Sequence, residues 1–437
     1  MYNYGNPLYF ILEAAKLQLS PLRMGLTGMQ QYFNNCDNSS YHDFYHTLPM
    51  RSMRASVEIA ERMTRQYSKP EFGITETIVD GKTTSVEQVT ILKKSFCNLL
   101  HFKKAGINHP KLLIVAPMSG HHATLLRGTV EGILPHCDVY ITDWICASQV
   151  PASEGSFDMD DYINYVIEFL EALGPDVHVM GVCQPAVPVL AAVSIMSDGG
   201  SKALPTSMIL MGGPVDARKS PTIVDTVATS HDIDWFKDYL LSTVPANYPG
   251  FGRKVYPGSL QIAGFVSMKW KDHFKSHIDL FKNLLVEDDA AATKQKDFYD
   301  EYFAVMDLTS EFYIQTIQEV FQKFSLAEDS LVSRGRKVHL GNIHNVALLG
   351  IEGENDDIAG LGQTSAAFAL CKNLPESYKE YYLQKDVGHY GVFSGSKFRK
   401  YVVPVIKDFI YKWDASSKSV QVNPSTAQVK SRKASKK

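Results

Sequence analysis

Residues 176–197, DVHVMGVCQPAVPVLAAVSIMS, constrain this chain more than any other stretch. Val177, Val179 and Val182 read as a buried strand, Cys183 falls on a sharp turn, and the apolar helix that follows has prolines only in its first turn, where a missing N–H costs least. This is the layout of a nucleophile elbow. The nucleophile stands exposed above a sheet, and backbone N–H groups at the helix N-terminus can stabilise an oxyanion. The usual pattern is G-x-S-x-G, whereas here it is Gly181-Val182-Cys183-Gln184-Pro185: the nucleophile is a thiol, and Pro185 replaces the second glycine. Taken alone, the stretch also fits a buried structural cysteine that ends a strand.

The surroundings decide what such a turn can belong to. After Pro110, short apolar strands (LLIVAPM, VYITDW, the Cys183 strand, SMILMGGPV) alternate with helix-length segments. That alternation predicts an α/β fold with a mostly parallel sheet and crossover helices on both faces. Upstream, ITETIVDGKTTSVEQVTIL holds two β-rich runs joined at Asp80-Gly81, so the sheet is expected to begin with an antiparallel hairpin. Between 216 and 337 the alternation gives way to helical, aromatic-rich sequence with a proline and glycine break at 245–257. The sheet resumes with NVALLGIEGEND, a helix over 364–373, the strand YYLQKD and a last amphipathic helix over 397–413. The expected organisation is a helical leader (1–75), a first core part (76–215), a helical lid insertion (216–337), a second core part (338–414) and a basic, disordered tail (415–437).

Composition narrows the class. A chain of 437 residues, 45% hydrophobic, can bury a large core, and a net charge of -3 argues against a nucleic-acid binder driven by overall charge. Six cysteines without C-x-x-C spacing signal neither a zinc site nor a disulfide framework, which fits a reducing compartment. The N-terminal apolar run lacks a basic start and is broken by Glu13 and Lys16, so no signal peptide and no membrane span are expected, and the protein reads as soluble and cytoplasmic. His42 and His46 have the four-residue spacing of metal ligands on a helix, but no third ligand is evident; no metal and no cofactor are expected. Homo-oligomerisation stays open.

A thiol at an elbow needs a base, and the base needs an orienter. In an elbow fold of this kind the acid follows a late strand and the histidine follows the last one. After the strand at 346–351 comes the acidic loop Glu352-Gly353-Glu354-Asn355-Asp356-Asp357, and after the strand at 381–383 comes His389 between Gly388 and Gly391. Cys183, Asp356 and His389 are therefore the expected catalytic residues. The oxyanion donors are expected to be the backbone N–H of Gln184 and of Met118 or Ser119, in the small-residue loop after the strand at 112–115. His121 and His122, on that same side, are read as pocket lining.

With these residues in place, a family resemblance emerges. GVCQP at the elbow, VAPMSGHHATLLRGTV at the oxyanion loop, TDW followed by VPASEGSFDMDDYI, VYPGSLQIAGF in the insertion, GENDDI at the acid and GHYGVFSG at the histidine resemble intracellular poly(3-hydroxybutyrate) depolymerases. The resemblance runs to about Trp413 and implies an α/β-hydrolase fold with its Cys-Asp-His triad at Cys183, Asp356 and His389. It further implies hydrolysis of amorphous storage polyester on cytoplasmic granules through a thioester acyl-enzyme. Polyhydroxyalkanoate synthases also resemble this chain in using an elbow cysteine, but have glycine where Pro185 stands; a catalytically inert granule-binding protein is the alternative of another class. Within the insertion, Tyr248, Tyr256 and Phe265 are the aromatics expected to line the cleft and read the polymer.

Overall fold

The computed structural model describes residues 8–36 and 42–414. Nine strands form the main sheet: β1 (Glu76–Val79), β2 (Lys82–Lys93), β3 (Cys97–Lys104), β4 (Lys111–Val115), β5 (Asp138–Trp144), β6 (Val177–Val182), β7 (Ser207–Met211), β8 (Ala347–Gly353) and β9 (Lys379–Gln384). Their order is β1-β2-β3-β5-β4-β6-β7-β8-β9. The pairs from β1 to β5 are antiparallel, and those from β5 through β4 to β9 are parallel. Strands β6, β7 and β8 are buried at every residue because helices cover both faces, which is why they read as continuous apolar runs and not as alternations. An antiparallel start, a crossed β4/β5 pair and a thiol at the turn after β6 make this the α/β-hydrolase fold.

The Asp80-Gly81 turn joins β1 to β2 with φ of 48° and 76°, the left-handed pair that a two-residue hairpin demands. Strand β3 has no counterpart in the pattern reading. Its sequence CNLLHFKK carries charge at one end and is set off from β2 by only three residues, so no turn signal announces it.

The leader is helical, as its periodicity predicts, in Leu8–Cys36, His42–Tyr45 and Leu48–Thr64. The expected helix pair of His42 and His46 is corrected, since the helix stops at Tyr45; the side chain of His42 lies outside the described residues, and His46 is turned to Glu287. The stretch from 216 to 337 is less uniformly helical than expected. Besides helices such as Ile223–Ser230, Gly258–Met268, Trp270–Leu285 and Asp289–Tyr302, it contains a small antiparallel sheet of Ser242–Thr243, Lys254–Tyr256 and Leu308–Thr309. This sheet takes up the proline and glycine break, where helix propensity is lowest. At the C-terminal end the helix Val403–Trp413 is preceded by a π-helical turn, Phe398–Val402. The basic tail at 415–437 lies outside the described residues.

Candidate active site

Cys183 occupies the turn between β6 and the helix Ala186–Asp198 with φ of +69°. A non-glycine residue in that region costs about 1–3 kcal/mol, which packing around the turn must offset. Two hydrogen bonds and a proline do so. The N–H of Cys183 donates to the Met211 carbonyl on β7 at 2.7 Å, Ala186 N–H closes the turn on the Cys183 carbonyl at 3.1 Å, and Pro185 supplies φ of -57° where the helix begins. Glycines leave the space: a methyl on Gly213 would lie 2.2 Å from Ala186 Cβ and 2.6 Å from the Cys183 carbonyl oxygen, and one on Gly181 3.2 Å from the Pro185 backbone. The room that a second elbow glycine usually provides is thus found on the neighbouring chain segment.

Asp356 and His389 come from the loops after β8 and β9. His389 Nδ1 lies 2.8 Å from Asp356 Oδ2 and 3.0 Å from Oδ1, with both side chains almost fully buried. The carboxylate is itself fixed: Oδ1 accepts from the N–H groups of Ile358 and Ala359, each at 2.9 Å. The two loops are tied together by Asn355 N–H on the Val387 carbonyl and Glu354 N–H on the Gln384 carbonyl. Glu352, buried at the end of β8, accepts from the N–H groups of Gly362 and Ser365 and from the Tyr381 hydroxyl, which anchors the rest of the acidic loop. Gly212, at φ of +54°, leaves room for the pair, since a methyl there would lie 3.2 Å from Asp356 Oδ2. Asp357 points elsewhere and pairs with Lys269 Nζ at 2.9 Å.

Burial alone pushes the His389 imidazolium toward its neutral form. The negative charges of the Cys183 thiolate and Asp356, with hydrogen bonds to both, outweigh it and hold His389 well above its ordinary value. Because Nδ1 faces the carboxylate, the other ring nitrogen is the one left for the thiol.

On the opposite side, the loop after β4 carries Met118, Ser119 and the two histidines. The structure corrects the expectation for Met118: its N–H donates to Gln184 Oε1 at 3.0 Å, so it is already engaged. Ser119 lines the pocket beside Cys183 and Gln184. His121 also lines it; burial pushes it down to about 4 despite its bond to the Tyr302 carbonyl, so it is neutral near pH 7. His122 is buried and is not part of the lining, contrary to expectation.

Cys183 and His389 open into a cavity of about 350 Å³, walled mainly by apolar side chains from the core and from the 216–337 stretch. Tyr256, stacked on Tyr313 at 4.0 Å, and Phe265 are in its wall. Tyr248 is not, which corrects that expectation: its ring packs on Tyr9 at 6.0 Å, in a separate cluster with Ala147, Val244 and Val255. Sequence reasoning missed Gln261, Tyr390 and the Gln184 side chain as wall or support, and Glu352 and Gly213 as positioning elements. The last two left a signal: an acid at the end of an apolar strand, and a Gly-Gly pair directly after β7. Among the described residues no group of three or more His, Cys, Asp or Glu could hold a metal, and no helix is long and apolar enough to cross a membrane.

Comparison with known proteins finds a match over part of the chain. Residues 212–414 match the family model described as PHB de-polymerase C-terminus, a span that includes Asp356 and His389 and begins after Cys183. No curated protein matches the chain. Among solved structures the chain is similar to DcsB, solved with a substrate analogue (12% identity, 76% of this chain and 100% of that one, TM-score 0.44). It is also similar to the meta-cleavage product hydrolase CumD of Pseudomonas fluorescens IP01 (14%, 77% and 97%, TM-score 0.40). A third is a thermophilic esterase from Thermogutta terrifontis (12%, 76% and 99%, TM-score 0.39). Residues 212–414, just under half of the chain, thus match the PHB de-polymerase C-terminus model, on a chain whose sheet has the α/β-hydrolase order.

Proposed function

We propose that this protein hydrolyses the ester bonds of amorphous poly(3-hydroxybutyrate) through Cys183, His389 and Asp356. The observation that carries this reading is Cys183 on a left-handed turn, interacting with a buried His389 whose far nitrogen is held by Asp356. His389 takes the thiol proton, and Asp356 stabilises the imidazolium that forms. The thiolate attacks the ester carbonyl, and the N–H groups of Gln184 and Ser119 receive the oxyanion. Collapse breaks the bond to the alkoxide, which leaves with the proton from His389. Water, deprotonated by the same imidazole, then attacks the thioester, and the thiolate is released.

An apolar cavity suits a polyester acyl chain, and the helix Gly258–Met268, which contributes Phe265 and Met268 to its wall, acts as a lid. Beyond the lid helix, Trp270 and Phe274 are exposed and suit adsorption to a storage granule in the cytoplasm. The test is hydroxybutyrate release from amorphous polymer by the wild type and by Cys183→Ala. The variant is expected to fold and to release none, and undiminished release would overturn the mechanism.

A further inference from the structure

The VYPGSLQIAGF stretch delivers a polar side chain into this apolar cavity. Gln261, on the helix Gly258–Met268, lines the same cavity as Cys183 and His389 and lies over the oxyanion loop. Its carboxamide fills the space where a side chain of Gly120 would be: a Cβ there would sit 2.4 Å from Gln261 Cδ and Oε1. Gly120 also has φ of +95°, so the loop is glycine both for its backbone and for this amide. Gln261 Oε1 is buried, and among the described residues none hydrogen-bonds to it. A buried carbonyl oxygen left without a donor is costly, and such groups are normally paired with protein, with ordered water or, in a binding cavity, with the bound molecule.

What could satisfy it is limited by the chemistry of the substrate. This step rests on the polyester reading above. The interior of a polyester offers carbonyl and ester oxygens, which only accept. The one donor on a neutral poly(3-hydroxyacid) chain, apart from its acid terminus, is the hydroxyl at the other end. Gly120 adjoins Ser119, and Gln261 lines the same cavity as Ser119 and Cys183, so the amide faces the space into which an acyl unit bound at Cys183 would extend. We infer that Gln261 is a specificity residue that accepts a hydrogen bond from the free 3-hydroxyl of the acyl unit, so that the enzyme attacks the hydroxyl-terminated end and releases single hydroxyacids. An internal unit presents an ester oxygen at that position and leaves Oε1 unpaired.

The test uses the full chain and two soluble substrates: the linear trimer of 3-hydroxybutyrate, and the same trimer with its terminal hydroxyl replaced by hydrogen. Release of the terminal acyl unit is followed as kcat/KM. The wild type is expected to prefer the hydroxyl trimer by about tenfold or more, since a site built to pair with a hydroxyl rejects the analogue lacking it. Gln261→Met, close in volume but unable to pair, should bring that ratio to near unity by losing rate on the hydroxyl trimer. Equal wild-type rates on the two trimers would overturn the inference without need of any variant. A Gln261→Met enzyme that keeps the wild-type ratio would overturn it as well. If neither trimer nor polymer is cleaved, the polyester reading itself has failed, an outcome distinct from cleavage without preference.

Discussion

His389 Nδ1 lies 2.8 Å from Asp356 Oδ2, while the next residue, Asp357, is turned away to Lys269. Adjacent aspartates in one loop thus have different partners. Asp356→Asn should lower kcat on a short soluble ester by about 10³-fold or more, because the amide favours the wrong imidazole tautomer. Asp357→Asn should cost no more than about threefold, as an exposed ion pair contributes little. A larger loss at Asp357 would reverse the assignment.

The titration of His389 gives a second expectation. Burial pushes its imidazolium down, and the charges of Cys183 and Asp356 raise it well above the ordinary value of about 6.5. A group raised in this way adds stability that is full below about pH 6.5 and is lost as pH climbs through the folded value. Removing the thiolate in Cys183→Ala should move the His389 titration to lower pH, with the stability it adds lost correspondingly earlier. Ring-nitrogen NMR against pH measures it directly; an unchanged or raised titration in the variant would contradict the pairing.

Much of this arrangement was legible in the sequence. Cys183 on a strand-to-helix turn, the acidic loop after an apolar strand and the histidine between glycines occur in an order that only a few topologies can use, so the core could be read from one stretch outward. What the sequence hid depended on contacts between distant segments. The engagement of Met118 N–H is set by a side chain 66 residues away, and Tyr248 is drawn out of the cavity by Tyr9 of the leader. Strand β3 lacked a turn in front of it, and the small sheet inside the 216–337 stretch is built from two- and three-residue strands, too short to show any period.

Gly213 supports the elbow from the neighbouring segment. Gly213→Ala would place a methyl 2.2 Å from Ala186 Cβ, and since both atoms are held by backbone the helix must shift. A loss of about 2–3 kcal/mol in urea unfolding is expected, with activity falling alongside it. A variant as stable as the wild type would mean that the helix and the Gly213 turn do not pack as described.

The cavity wall separates two tyrosines that look alike in sequence. Tyr256→Ala removes a stacked ring from the cavity and should slow polymer hydrolysis more than hydrolysis of a short soluble ester. Tyr248→Ala, outside the cavity, should slow both equally, through stability alone. Rates on the two substrates decide it, and substrate-selective loss at Tyr248 would contradict the placement.

The account turns on a covalent bond to Cys183. Rapid quenching of the enzyme with a 3-hydroxybutyrate oligomer, followed by mass spectrometry of the peptide that carries residue 183, tests this most directly. The predicted result is a hydroxyacyl adduct on Cys183 that forms and decays within turnover and is absent from Cys183→Ala. Turnover with no adduct on that peptide, or with the acyl group on another residue, would contradict it.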